Sequence, residues 1–151
     1  RAGNAPRGWR SCTQSPNSIE LLMEQGYQWN SNDFSRDLPF LWEKDGKFLV
    51  ELPRQPFGDG RTYFADHGNP DATLVVWKGL FDELHEESKD HPTYCPFQFH
   101  PYISGRPGRA RTLRTIIQHM KAAEGVWFAT GSEIASWCRD ELFQTDQAKT
   151  A

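Results

Sequence analysis

His100 is the residue best placed to move a proton in this chain. It closes the run Cys95-Pro96-Phe97-Gln98-Phe99, and a Gly, Pro and Arg-rich segment, Pro101 to Arg109, follows it. An imidazole titrates near neutrality, so at the rim of a sheet it can act as a general acid or base. Bonded to a backbone carbonyl it is merely structural, and position alone leaves the two readings level. Arg10 carries a permanent charge. It can orient a carboxylate through two parallel hydrogen bonds or make a surface salt bridge. Asp33 and Asp37 sit in a polar, acidic loop between Asn32 and Phe40.

Other polar clusters point less far. His85, His91 and His119 fall in charged or helical stretches and read as solvated or half-buried. Asp66-His67 lies in a long loop that can approach a site. Zinc needs three or four converging N, S or carboxylate donors, two of them usually close in sequence. The chain has no HxxxH or HExxH spacing, so no metal site is expected from its own residues. Arg106, Arg109, Arg111 and Arg114 gather at a helix start, where a solvated face competes with a docked anion. A formal net charge of −3 argues against a nucleic-acid partner. Cys12, Cys95 and Cys138 are odd in number and far apart, which favours free thiols and a reducing, cytoplasmic compartment. No apolar run is long enough to span a bilayer.

The elements that would position these residues alternate between strand and helix. Ser15-Pro16-Asn17 starts a helix with Ile19, Leu22 and Met23 on one face, closed by Gly26. Strands are expected at Tyr27 to Asn30, Phe48 to Leu52, Cys95 to His100 and Val126 to Ala129, with a loop from Asn32 to Phe40. Arg54 to Pro70 has no sustained period and reads as a long loop. A helix opening at Asp71 carries Leu74, Trp77, Phe81 and Leu84, and another buries Leu113, Ile116, Ile117 and Met120. Thr130 and Glu133 form a capping box for a last helix bearing Ile134, Trp137 and Cys138. This order implies an α/β fold with parallel strands and covering helices, of about three to four units, half what a closed barrel needs.

Three stretches carry a family resemblance: GNAPRGWRSCTQSPNSIELLMEQGYQWNSNDFSRDLPF, DGKFLVELP and FQFHPYISGRPGRARTLRTIIQHMKAAEGVWFATGSEIASW. Together they resemble the C-terminal part of a polysaccharide deacetylase of the NodB-homology type, nearest the subset of peptidoglycan deacetylase-like and cofactor-free allantoinase-like proteins. The resemblance implies part of a distorted (β/α)7 barrel over residues 1–143, with a polar tail at 144–151. It implies hydrolysis of a carbon–nitrogen bond, usually the N-acetyl amide of an aminosugar. The family's arginine motif falls on Arg10-Ser11-Cys12, with cysteine where the family has proline. Its last motif falls on Phe97-Gln98-Phe99-His100, with phenylalanines for leucines. Its acidic motif, which braces the arginine, falls on Asp33 or Asp37, with Asp37 favoured, so the resemblance casts His100, Arg10 and Asp37 in catalytic roles. The family's aspartate pair and metal histidines lie upstream of these motifs, so a divalent metal such as zinc would be held outside this sequence. With Arg1 rather than methionine first, the chain is expected to be part of a larger enzyme and inactive alone.

Amide hydrolysis needs a base for water, a group to stabilise the oxyanion and an acid for the leaving nitrogen. His100 suits the acid, and a nearby carboxylate would hold its proton. Trp9, Trp42, Tyr102 and Arg106 are candidates for lining a site that takes a carbohydrate or small amide. Core packing is the expectation for Phe97 and Phe99, and loop bracing competes for Arg106 and Arg109. Three readings stay open: a deacetylase of N-acetylated carbohydrate, a metal-free ring-opening amidase of a ureide or cyclic imide, and a non-catalytic carbohydrate-binding module. A partial barrel would also expose a strand edge. The chain expressed alone is therefore expected to form homo-oligomers or aggregate in size-exclusion chromatography; a stable monomer with cooperative melting would refute this.

Overall fold

A computed structural model describes residues 3–11, 13–65 and 68–142. The chain divides into two compact units, residues 1–54 with 128–151, and residues 55–127. Cys12, Asp66, His67 and the tail expected from residue 144 lie outside the described residues.

The first unit is built on a four-stranded sheet. Strands β1 (Gly8–Trp9), β2 (Trp29–Asn30), β3 (Phe40–Lys44) and β4 (Lys47–Glu51) stand in the order β1-β2-β4-β3. β1, β2 and β4 run parallel and β3 antiparallel, so the sheet is mixed. The hairpin β3–β4 was not expected from the sequence. Its signal is Asp45-Gly46, whose φ values of 51° and 70° match the left-handed pair a two-residue hairpin turn needs. Helix α1 (Ser18–Glu24) starts later than expected. Asn17 is its N-cap, while Ser15 instead takes a hydrogen bond from the Ser18 backbone and donates its own N–H to Ser18 Oγ. Gly26, at φ 75°, ends it: Tyr27 N–H bonds Leu22 O at 3.0 Å. As the spacing requires, Leu22 and Met23 are buried against Leu49 with Ile19 and Tyr27 beside them.

The rest of this unit packs around two side chains. The Trp29 ring lies over Gly8, where a Cβ would fall 1.9 Å from it, so only glycine fits there. Its indole donates to Ser132 Oγ at 3.2 Å. Ser132 belongs to the capped helix (Gly131–Trp137), whose Thr130–Glu133 capping box is present as expected. A short π-helical segment, Cys138–Leu142, follows. Glu51, with no exposed surface, accepts from Asn30 Nδ2 (2.5 Å), the N–H groups of Asn32 (2.8 Å) and Asp33 (3.0 Å), and Trp42 Nε1 (3.1 Å).

The second unit is helical. Helix α2 (Asp59–Ala65) occupies what the sequence suggested was loop, α3 spans Pro70–Glu87 and α4 spans Pro107–Ala122. Asn69 caps α3 by accepting from Asp71 and Ala72. Trp77 and Phe81 are buried, as the stripe requires. α4 turns differently from its apolar pattern: Arg109, Thr112 and Ile116 are buried while Ile117 is exposed. His85 stacks on Phe81 and bonds the Glu124 carbonyl, and His119 pairs with Asp82, which matches their expected half-buried roles.

Two expected strands are absent among the described residues. Residues 95–100 and 126–129 carry no ladder hydrogen bonds. In the first, Pro96 has no N–H to give, and the backbone groups of Gln98 and His100 are taken by Asp59. In the second, Trp127 and Phe128 are more than half exposed, so the apolar run is not sheet interior.

Two predictions follow from burial. Glu51→Ala leaves the donors of Asn30, Asn32, Asp33 and Trp42 without their acceptor, and denaturant unfolding should register a loss of about 3 kcal/mol. Cys95 and Cys138 are free, and burial pushes both thiols up to about 11. At pH 8 only about a thousandth of each is thiolate. Iodoacetamide should therefore label both slowly in the native protein and quickly after denaturation.

Candidate active site

Asp59 and His100 form the centre of the second unit. Asp59 opens α2, and its carboxylate is wholly buried. His100 reaches it twice: the backbone N–H donates to Oδ2 at 2.6 Å, and ring Nδ1 lies 2.6 Å from Oδ1. Ser104, also buried, donates its hydroxyl to Oδ2 at 2.8 Å. In return the Asp59 N–H donates to the Gln98 carbonyl at 3.0 Å. The turn after His100 is tied back by Ile103 and Ser104 N–H groups on the His100 carbonyl, both at 2.9 Å, which sets Ser104 beside the carboxylate.

An extended backbone alternates its side chains, and residues 97–100 use this. Phe97 and Phe99 pack on Trp77, with ring centroids 5.9 and 5.3 Å from it. Trp77 is fixed through its indole N–H on the Phe57 carbonyl at 2.8 Å. Both phenylalanines are half-buried and pack on that buried ring. Gln98 and His100 share the opposite side, where Gln98 Nε2 stands 3.4 Å from His100 Nε2.

A carboxylate only accepts, so it makes Nδ1 the ring's donor and leaves Nε2 as the working nitrogen. The burial difference fits this division. Asp59 has no exposed side chain, while about a third of the His100 side chain (34%) is open to solvent. Tyr102, 66% exposed, sets its ring 5.3 Å from the imidazole. A pair of this form can deliver a proton from Nε2 and hold the positive ring against a fixed negative charge.

Arg109 packs on α2. Its guanidinium is buried and lies 4.5 Å over the ring of Tyr63, one turn along α2 from Asp59. Arg106 is exposed and occupies the N-cap position of α4. Arg111 is exposed and stands 3.9 Å from Asp71.

The other sequence candidates lie in the first unit. Arg10 is exposed just beyond β1, and the next residue, Ser11, donates its N–H to Asn32 Oδ1 at 3.1 Å. Trp9 packs edge-on against Tyr27. Trp42 is held by Glu51 and sits edge-on to Phe40. Asp37 is exposed in the loop before β3, and Asp33 is engaged by the Ser35 N–H and hydroxyl. Asp59 and Ser104 were missed from sequence. The available signal was Gly58-Asp59-Gly60, an acid flanked by residues without side chains. A Cβ at Gly58 would lie 3.1 Å from the Gln98 carbonyl, a tight approach, whereas one at Gly60 would meet the imidazole at an ordinary 3.5 Å. Among the described residues no group of three or more His, Cys, Asp or Glu could hold a metal ion.

No family model matches the chain. A fission yeast protein (Schizosaccharomyces pombe) described as a "Putative polysaccharide deacetylase" is 29% identical over 89% of this chain and 48% of its own. The solved structure of a "probable Polysaccharide deacetylase" from Pseudomonas aeruginosa PAO1 superposes with a TM-score of 0.83 and 29% identity, over 92% of this chain and 48% of that one. The chain is thus similar in both sequence and fold to proteins described as polysaccharide deacetylases. The Puue allantoinase structure superposes with a TM-score of 0.82 and 27% identity, again over 92% of this chain and 48% of that one. The chain therefore spans about half the length of the proteins it matches.

The tight approach of Gly58 makes a prediction. Gly58→Ala should push the Gln98 carbonyl off the Asp59 N–H and destabilise the protein by about 1–3 kcal/mol. Denaturant unfolding measures the cost. Amide exchange at Asp59 should rise with it, and unchanged exchange would show the approach is not tight.

Proposed function

We propose that the chain supplies the general-acid side of a hydrolase acting on non-peptide carbon–nitrogen bonds, with an N-acetylated carbohydrate as substrate. The carrying observation is the buried Asp59 carboxylate on Nδ1 of a half-open His100. Water attacks the amide carbonyl, the tetrahedral intermediate collapses, and the C–N bond breaks. His100 delivers the Nε2 proton to the departing nitrogen, while Asp59 stabilises the ring's charge when it is protonated. The base for water is assigned to the aspartate motif that the resemblance places outside this sequence. Arg10 is proposed to orient that aspartate and Asp37 to brace Arg10. Trp9, Trp42 and Tyr102 are proposed to offer ring faces to the sugar, and Arg106 a polar contact. A divalent metal in the whole protein would use donors outside the described residues, so no step is routed through it.

The close superposition on an allantoinase supports a second reading, in which the same acid protonates the nitrogen released on opening a ureide or cyclic imide. No helix among the described residues is long and apolar enough to cross a membrane.

Full-length protein should be assayed on N-acetylated chitooligosaccharide, peptidoglycan and allantoin, with and without chelator. Turnover of an acetylated sugar supports the first reading, and turnover of allantoin alone the second. On whichever substrate is turned over, His100→Ala should lower kcat by about 10²–10⁴-fold, as should Asp59→Asn, which loses the carboxylate on Nδ1. Undiminished turnover in either variant rejects the role given to the pair.

A further inference from the structure

We infer that Gln98 is a positioning residue for His100: its carboxamide holds the substrate-facing nitrogen of the ring while Asp59 holds the other. The inference rests on the reading of His100 as the acid.

The ring has two nitrogens, and Asp59 takes Nδ1. The Gln98 amide nitrogen is 3.4 Å from Nε2, the nitrogen that must meet the leaving group. Gln98 is itself well anchored. Its carbonyl receives the Asp59 N–H, and its Cβ lies 3.1 Å from the point where a side chain at Gly58 would begin. The side chain thus starts from a fixed point, two residues before His100 on the same side of an extended segment.

A carboxamide is unusual among ring partners in serving both protonation states. Its NH2 donates to the lone pair of neutral Nε2, and after a half-turn its oxygen accepts from Nε2–H of the charged ring. It brings no charge. Asp59 from α2 and Tyr102 from the following turn are the titratable groups that face the ring, and Gln98 adds none. A carboxylate at position 98 would favour the charged ring, and an apolar side chain would hold neither form. The glutamine therefore fixes the ring plane without trapping the proton that the ring has to release.

The test uses full-length protein, ¹⁵N-labelled at histidine, and compares Gln98→Leu and Gln98→Glu with wild type. Long-range ¹H–¹⁵N spectra read the two ring nitrogens of His100 directly. The Nε2 resonance is expected to move in both variants. In parallel, kcat should fall about tenfold in Gln98→Leu at unchanged KM, and the basic limb of the pH profile should move to higher pH in Gln98→Glu. Nε2 resonances that coincide with wild type in a folded variant would overturn the inference, whatever the activity shows. Should Gln98→Leu fail to fold, Gln98→Glu, which keeps the size and the polarity, decides on the same resonance. A moved Nε2 resonance with no turnover in any protein, wild type included, supports the positioning and rejects the hydrolase reading instead.

Discussion

A single buried carboxylate organises the second unit. Asp59 has no contact with water, and an unpaired ionised group in that position would cost several kcal/mol. It is stable there because the His100 backbone, the His100 ring and the Ser104 hydroxyl all point donors at it. Hydrogen bonds to a charged acceptor are roughly twice as strong as neutral ones. The carboxylate also does work that a neighbouring strand would do elsewhere. It accepts the His100 N–H, and the Asp59 backbone N–H donates to the Gln98 carbonyl, so these two backbone groups are paired without a ladder.

The first unit solves a similar problem with Glu51. The parallel strands β2 and β4 end side by side, at Asn30 and Glu51. The loop leaving β2 then presents the N–H groups of Asn32 and Asp33, and both donate to Glu51. Asn30 carries the network on, accepting from Gln14 and Asn32 while Asn32 accepts from Ser11. A chain of polar contacts thus runs from Trp42 on β3 to the residue next to Arg10. Both units use a fully buried acid to hold loops that lack regular partners, but of the two only Asp59 is bonded to a titratable ring, that of the part-exposed His100. That difference in partner chemistry, rather than burial alone, separates a scaffold carboxylate from one suited to proton transfer.

Local patterns were legible where local forces decide. The Leu22–Met23 face, the Gly26 stop and the Thr130–Glu133 box all follow from neighbours a few residues apart, and all are present. His100 could be singled out because an imidazole after an apolar run is rare enough to notice. Its partner could not, since Asp59 sits 41 positions away in a stretch whose glycines and prolines hide a seven-residue helix. Apolar runs at 95–100 and 126–129 suggested strands, yet a strand needs a partner, and hydrophobicity does not supply one. In α4 the apolar stripe misled for another reason. Arg109 is buried through its contact with Tyr63, so an arginine took an inward position that the pattern reserves for aliphatic residues.

The alternation at residues 97–100 joins the core to the chemistry. Phe97 and Phe99 are pinned to Trp77, which is pinned by its indole to the Phe57 carbonyl, next to Gly58 and Asp59. The same anchor therefore places both members of the pair: one route runs through the phenylalanines to His100, the other through Phe57 to Asp59. Because the two routes leave one buried tryptophan, a shift of that ring displaces acid and imidazole together. Gly58 completes the arrangement by letting the start of α2 approach the Gln98 backbone closely, with no side chain between them.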